Sequence, residues 1–212
     1  HMSYRILRAA KNRFGATNEI GVFEMADSGL VEVPNPSETL LAGRPKDTPG
    51  TCVTCVMEGN RPVLAEIQAL LAPTSFGNPR RTSNGFDYNR AMLLLAVLEK
   101  RGGLIVSSCD AYMNVIGGLY LDEPAADLAA IISIASSFRD KPVPGELTAI
   151  GEVGLTGELR SVSALGQRLS EVRRLGFKRC LIPAQNSMKL VEPEGLQLVR
   201  VRNIREALSA VL

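Results

Sequence analysis

A hydrolase or transferase needs a nucleophile, a base or a phosphate cradle, and this chain offers few candidates. Its single histidine is His1, which with Met2 reads as a cloning scar. No other histidine is available for Ser-His-Asp or Cys-His catalysis or to ligate a metal. Neither Ser-x-x-Lys nor Gly-x-Ser-x-Gly occurs. Gly-Lys never occurs either, so no Walker A loop is present. Four cysteines remain, and Cys52 and Cys55 form a Cys-x-x-Cys inside the strand-like run 51–57. Residues three apart on a strand point to opposite faces, and no second pair completes a zinc site. The expectation is buried thiols in a cytosolic, reducing compartment and no metal in this chain.

Cationic side chains, by contrast, come in short strings. Lys11-Asn12-Arg13-Phe14-Gly15 places a lysine and an arginine two apart, on the same side of an extended segment. Such a pair could reach a phosphate on a neighbouring subunit, as arginine fingers do. Residues 78–101 carry Arg80, Arg81, Arg90, Lys100 and Arg101 against Asp87 and Glu99. Residues 158–179 carry Arg160, Arg168, Arg173, Arg174, Lys178 and Arg179 against Glu158 and Glu171. Clusters of this kind supply the sequence-independent phosphate attraction of DNA binding. Arg80, Arg81, Arg90, Arg173 and Arg174 are the DNA-contact candidates, with an ordinary solvated helix face as the plain alternative. The net charge of +2 does not by itself indicate a nucleic-acid partner, and without tryptophan the chain has little for base stacking.

The elements that must position these groups follow from periodicity and turn residues. Strands are expected at 6–7, 20–25 and 30–33, with a turn at Asp27-Ser28-Gly29. Ser37 is placed as the cap of a short helix ending at Leu41, and a polar Gly/Pro-rich linker covers 43–50. A hairpin spans 51–58 and 62–69. A helix capped by Asn84 or Asp87 carries Tyr88, Met92, Leu95, Ala96 and Glu99 and stops at Gly102-Gly103. A buried strand at 112–121 leads into a helix over 124–138. Asp122 is its expected N-cap, Asp127 complements its dipole, and Leu128, Ile131, Ile132, Ala135 and Phe138 make its buried face. A strand pair at 147–153 and 159, a helix over 164–175, strands at 179–182 and 196–201, and a closing helix over 204–211 complete the chain. Hairpins interrupt the strand–helix alternation, which indicates α+β or mixed-sheet α/β. The longest apolar run, 92–98, is too short to cross a bilayer, and no signal peptide is expected.

The turn Leu121-Asp122-Glu123-Pro124-Ala125-Ala126-Asp127 resembles the strand–helix turn of Lon-type proteases, Lys-Asp-Gly-Pro-Ser-Ala-Gly, whose serine is the nucleophile. Ala125 stands at the serine position. The Lon lysine falls on Gly166 in Ser163-Ala164-Leu165-Gly166-Gln167-Arg168, or on Arg168 in a shifted register, and an arginine stays protonated. Both members of the Ser-Lys dyad are then missing.

A second resemblance covers nearly residues 6–212. Lys11–Gly15 is similar to the Lys-Asn-Arg-Phe-Gly signature of the bacterial RadA (Sms) DNA-repair ATPases. The segments 59–70, 78–81 and 151–160 are similar to further strings of that family in the same order. The resemblance implies a Lon proteolytic-domain-like fold (ribosomal-protein-domain-2-like), preceded by a terminal β-hairpin of a RecA-like ATPase domain. Residues 1–42 are then scar, motor remnant and linker helix, and 43–212 a non-proteolytic Lon-like domain. It implies that Lys11, Asn12, Arg13, Phe14 and Gly15 couple ATP hydrolysis to DNA work. For the parent protein it implies ATP, Mg and zinc; single-stranded and branched DNA; a recombinase partner; a hexameric ring; a cytoplasmic location; and no membrane. The fragment is expected to lack both ATPase and peptidase activity and to serve as an oligomerisation scaffold and DNA-contacting surface. The alternatives are an active Lon-like peptidase and a pure assembly module without DNA contact.

Overall fold

The computed structural model describes residues 4–8, 11, 13, 20–75, 77–185 and 190–212. Strands β1 (Tyr4–Arg8), β2 (Ile20–Ala26) and β3 (Gly29–Glu32) form an antiparallel three-stranded sheet. The sheet turns at Asp27-Ser28, where the sequence expects it. Asn12, Phe14 and Gly15 lie outside the described residues; Lys11 and Arg13 are exposed.

The main body is a seven-stranded mixed sheet. In chain order its strands are β4 (Thr51–Glu58), β5 (Arg61–Pro73), β6 (Arg81–Asn84), β7 (Cys109–Val115) and β8 (Leu147–Ala149), then β11 (Arg179–Pro183) and β12 (Gln197–Val201). Their spatial order is β12-β11-β8-β4-β5-β7-β6. The pairs β4–β5 and β5–β7 are antiparallel; β6–β7, β4–β8, β8–β11 and β11–β12 are parallel. A separate two-stranded ribbon joins β9 (Glu152–Val153) and β10 (Leu159–Arg160).

Both faces of the sheet are covered, so β4 and β5 are apolar nearly throughout. Cys52, Val56, Val63, Ala65 and Ile67 enter one core, and Val53, Cys55 and Leu64 the other. This alternation separates Cys52 from Cys55, as the strand reading requires. All four cysteines are buried and unpaired. Buried Glu66 is satisfied by the Thr51 hydroxyl at 2.8 Å and the Gln68 amide at 2.9 Å.

Helix α3 (Asp127–Arg139) fills the first core and is buried from Asp127 through Ser136. Such a helix touches protein on all sides, so its serines must find partners within the fold. Ser136 Oγ accepts the Gly50 N–H at 2.9 Å, and Ser137 Oγ accepts the Leu71 N–H at 2.9 Å. Gly50 has φ +87° and a Cβ there would lie 2.3 Å from the Ala69 carbonyl, so only glycine fits. α2 (Tyr88–Val97), which runs on into a π-helical turn, contributes Ala91, Leu94 and Leu95 to this core, and α5 (Ile204–Val211) contributes Ile204, Ala207 and Leu208. Helix α4 (Leu165–Arg174) supplies Leu165, Leu169 and Val172 to the second core.

Several local expectations are corrected. The strand expected at 112–121 begins at Cys109 and stops at Val115, because Gly117 turns the chain with φ +85°. The next helix opens with a 3-10 turn, Pro124–Ala126, before α3. Asp122 is exposed and does not cap it; Glu123 holds the cap position and sends its carboxylate elsewhere. Of the two caps open for α2, Asp87 serves, accepting the Arg90 N–H at 2.7 Å. The strand expected over 147–153 divides into β8 in the large sheet and β9 in the ribbon.

Ser37 lies inside α1 (Pro36–Leu41) rather than at its cap. It accepts the Leu64 N–H at 3.0 Å and donates to Glu171 on α4 at 2.7 Å, docking α1 against the large sheet. Burial alone raises the Glu171 pKa, but hydrogen bonds from Arg174 and Ser37 outweigh it and leave the group below its usual value. A carboxyl depressed on folding stabilises above its unfolded pKa and loses that contribution as pH falls through the folded one. Glu171→Gln is therefore expected to be less stable than wild type at neutral pH. The gap should narrow as pH drops below the ordinary value of 4.5. Unfolding curves across the acid range check this; a gap independent of pH contradicts it.

Candidate functional site

The turn before α3 is the candidate site, and backbone bonds fix it first. Ala126 N–H bonds to the Glu123 carbonyl at 3.1 Å, Gly151 N–H to the Ala125 carbonyl at 2.9 Å, and Leu128 N–H to the Gly151 carbonyl at 3.1 Å. Ala125 is 2% exposed, its methyl packed in the second core with Val53 and Leu169. No hydroxyl is present at that position.

The charged group brought to this turn is Arg168. On α4 the inward residues are Leu165, Arg168, Leu169 and Val172, the spacing of one helix face. Gly166 is exposed, with open space where a Cβ would stand. Of the two registers left open by the sequence, the one through Arg168 reaches the turn. Arg168 is fully buried and forms a two-pronged ion pair with Glu123, one prong being Nη1 to Oε2 at 3.0 Å. Nη1 also donates to the Cys55 carbonyl at 2.7 Å, and Nε to the Ser163 carbonyl at 2.9 Å. Glu123 Oε2 accepts the Met57 N–H at 2.8 Å as well. Four segments meet here: the end of β4, the turn, the 163–164 loop and α4.

A second pair, with a half-buried arginine and a fully buried aspartate, stands beside it. Arg90 of α2 grips Asp127 with Nε at 2.9 Å and with Nη2, which also donates to the Val153 carbonyl at 2.9 Å. Asp127 accepts the Val153 N–H at 3.0 Å. Burial pushes the Asp127 carboxyl upward, while the Arg90 and Val153 donors work against it. Asp127 is fully buried, so its role goes beyond the helix dipole the sequence assigns it: it is the acceptor joining α2, α3 and β9. Between Arg90 and Glu123 lies a cleft of about 210 Å³, with Phe86, Tyr120 and Asp122 on its walls.

No acyl-transfer apparatus assembles here. A serine–lysine dyad needs an unprotonated amine beside a hydroxyl; this turn has a methyl and a guanidinium locked to a carboxylate. The buried thiols are also unsuited to attack: burial pushes Cys52 and Cys180 up to about 12, and Cys55 up as well. Among the described residues no group of three His, Cys, Asp or Glu side chains gathers as a metal site.

The remaining candidate cations differ in their surroundings. Arg80 and Arg173 are exposed. Arg81 donates to the carbonyls of Arg80, Cys109 and Val106. Arg174 pairs with Glu171 and Glu38. The sequence missed the Glu123–Arg168 pair. Its available signal was an arginine on the Leu165/Leu169/Val172 face of an otherwise amphipathic helix.

The double variant Ala125→Ser, Arg168→Lys places a hydroxyl and an amine at the positions that face this turn. It is expected to hydrolyse neither casein nor small peptides, because the Glu123 carboxylate favours the charged lysine. A fluorogenic peptide assay across pH checks this; turnover above the wild-type background contradicts it.

Comparison with known proteins agrees with this geometry. Residues 112–212 match the Lon protease (S16) C-terminal proteolytic domain. Over 212 residues the chain is 57% identical to the DNA repair protein RadA of Bacillus subtilis and 54% identical to that of Listeria monocytogenes. It is 50% identical over 211 residues to that of Streptococcus pneumoniae. In each case the match covers 100% of this chain, and 46%, 46% and 50% of the respective relative. The chain thus spans about half the length of the curated relatives it matches. Over its whole length the chain is similar to about half the length of proteins named DNA repair protein RadA, and its second half matches the Lon-type C-terminal proteolytic domain.

Proposed function

We propose that this chain is the C-terminal region of a DNA-repair protein, a Lon-like scaffold that has given up peptide cleavage and contacts DNA. The observation that carries the reading is a match over all of this chain to about half the length of proteins named for DNA repair, combined with Ala125 and a locked Arg168 at the turn that resembles the Lon dyad's. In this reading the parent protein uses ATP and Mg to drive branch migration on single-stranded and branched DNA. It carries zinc in a segment outside this chain, works with a recombinase, assembles as a hexameric ring and acts in the cytoplasm. The β1–β3 sheet is the end of its RecA-like motor, and Lys11 and Arg13, both exposed, reach a neighbour's nucleotide. A membrane partner has no support: no helix among the described residues is long and apolar enough to cross a bilayer.

For DNA contact, the reading rests on Arg80 and Arg173 because both are exposed, whereas Arg90 is only half-exposed. Replacing both with glutamate is expected to weaken binding of single-stranded DNA to this chain. The slope of log affinity against log salt should fall by roughly 0.7 for each phosphate that the variant no longer neutralises. Fluorescence anisotropy over a salt series measures both. An unchanged slope removes these residues from the interface, and absence of binding by the wild-type chain leaves the assembly-module reading in place of the DNA one.

A further inference from the structure

By composition, residues 43–50 are a polar linker between two units. The structure fastens this stretch, and the residues leading into it, at successive points. Strand β3 ends at Glu32, and only Val33, Pro34 and Asn35 separate it from α1. Proline at 34 and again at 36 fixes φ on either side of Asn35, and each also restricts the residue before it. Little rotation is left between the sheet and the helix. The Arg61 guanidinium of β5 donates to the Pro34 carbonyl at this corner.

Helix α1 is then held on two sides. Pro36, Ser37 and Leu40 are buried, and Leu41 packs against the second core. Through its bonds to the Leu64 N–H and Glu171, Ser37 ties α1 to both β5 and α4. Glu38 pairs with Arg174 of α4 at 3.1 Å, an exposed contact of small energetic weight. Beyond the helix, Arg44 turns back onto the body. Its Nη2 donates to the Gly145 carbonyl, and its guanidinium lies 5.1 Å from the centre of the Phe177 ring, within cation–π range. Pro49 bridges to Pro142, and the Gly50 carbonyl accepts the Ala69 N–H at 2.8 Å.

We propose that residues 33–50 are a rigid joint, with α1 as its arm and Arg44 as its latch, that holds the β1–β3 sheet at one angle to the seven-stranded body. A free linker would let the two units turn independently. A fastened one passes a displacement of either unit to the other. The buried Ser37 bonds carry most of the hold, because releasing α1 leaves the Leu64 N–H without its acceptor. This inference is independent of the DNA-repair reading.

The test places nitroxide labels at Glu32→Cys on β3 and Gln167→Cys on α4, both exposed positions. The four native cysteines are buried, so labelling falls on the introduced thiols. Double electron–electron resonance should give one narrow distance distribution. Two further variants loosen the joint in this labelled chain: Ser37→Ala with Arg44→Ala, and Pro34→Gly with Asn35→Gly. Each should widen the distribution about twofold or more, the second because glycine admits many more backbone shapes. Far-UV circular dichroism of each should match wild type. Pro34 and Asn35 are exposed, so the glycine pair decides the matter if the Ser37 variant fails to fold. A broad distribution in the wild-type chain, or an unchanged width in the glycine variant, overturns the proposal.

Discussion

The Glu123–Arg168 ion pair is the interaction on which the arrangement of this domain turns. A fully buried guanidinium is tolerated only when its donors and its charge are met. Here the carboxylate meets the charge, and the Cys55 and Ser163 carbonyls take further N–H groups. Glu123 in turn takes the Met57 N–H at the end of β4. Removing Glu123 strands a buried guanidinium, removing Arg168 leaves a half-buried carboxylate without its partner, and the loose ends would lie in four chain segments at once. The pair thus fixes how α4 sits on the sheet and where the turn into α3 points.

The same chemistry sets this turn apart from a serine–lysine dyad. A Lon-type dyad works with a neutral amine, a state that a lysine reaches through desolvation. An arginine does not reach it, and a carboxylate partner favours the charge still further. Ala125 completes the change by packing its methyl in the core. The second pair, Arg90–Asp127, braces the other side of the turn through Val153. A place where a protease must leave room for a peptide carbonyl is here bracketed by two salt bridges. At this turn the side chains are a methyl and a carboxylate-bound guanidinium, not a hydroxyl and a neutral amine.

Much of this was legible in the sequence. The helices ending at Gly103 and Gly176, the closing helix and the opposed faces of Cys52 and Cys55 follow from periodicity and from residues with one favoured backbone shape. The missing serine was legible because one position decides it. What the sequence hid was long-range. Glu123 and Arg168 are separated by 45 residues, and nothing local distinguishes this glutamate from Asp122 beside it. Asp122 has the better capping chemistry, yet it is exposed, because a partner on another helix claimed its neighbour. Ser37 was misplaced for the same reason: its hydroxyl serves a strand N–H and a glutamate 134 residues away. Polar side chains look locally committed until tertiary partners are known.

A double-mutant cycle on Glu123 and Arg168 tests the central claim most directly. Glu123→Leu, Arg168→Met and the double variant would be unfolded in urea and compared with wild type. Each single change should cost about 3–5 kcal/mol, and the double change should cost clearly less than their sum, a coupling of about 2 kcal/mol or more. A coupling below about 0.5 kcal/mol, the scale at which independent sites simply add, would contradict a structural role for the pair.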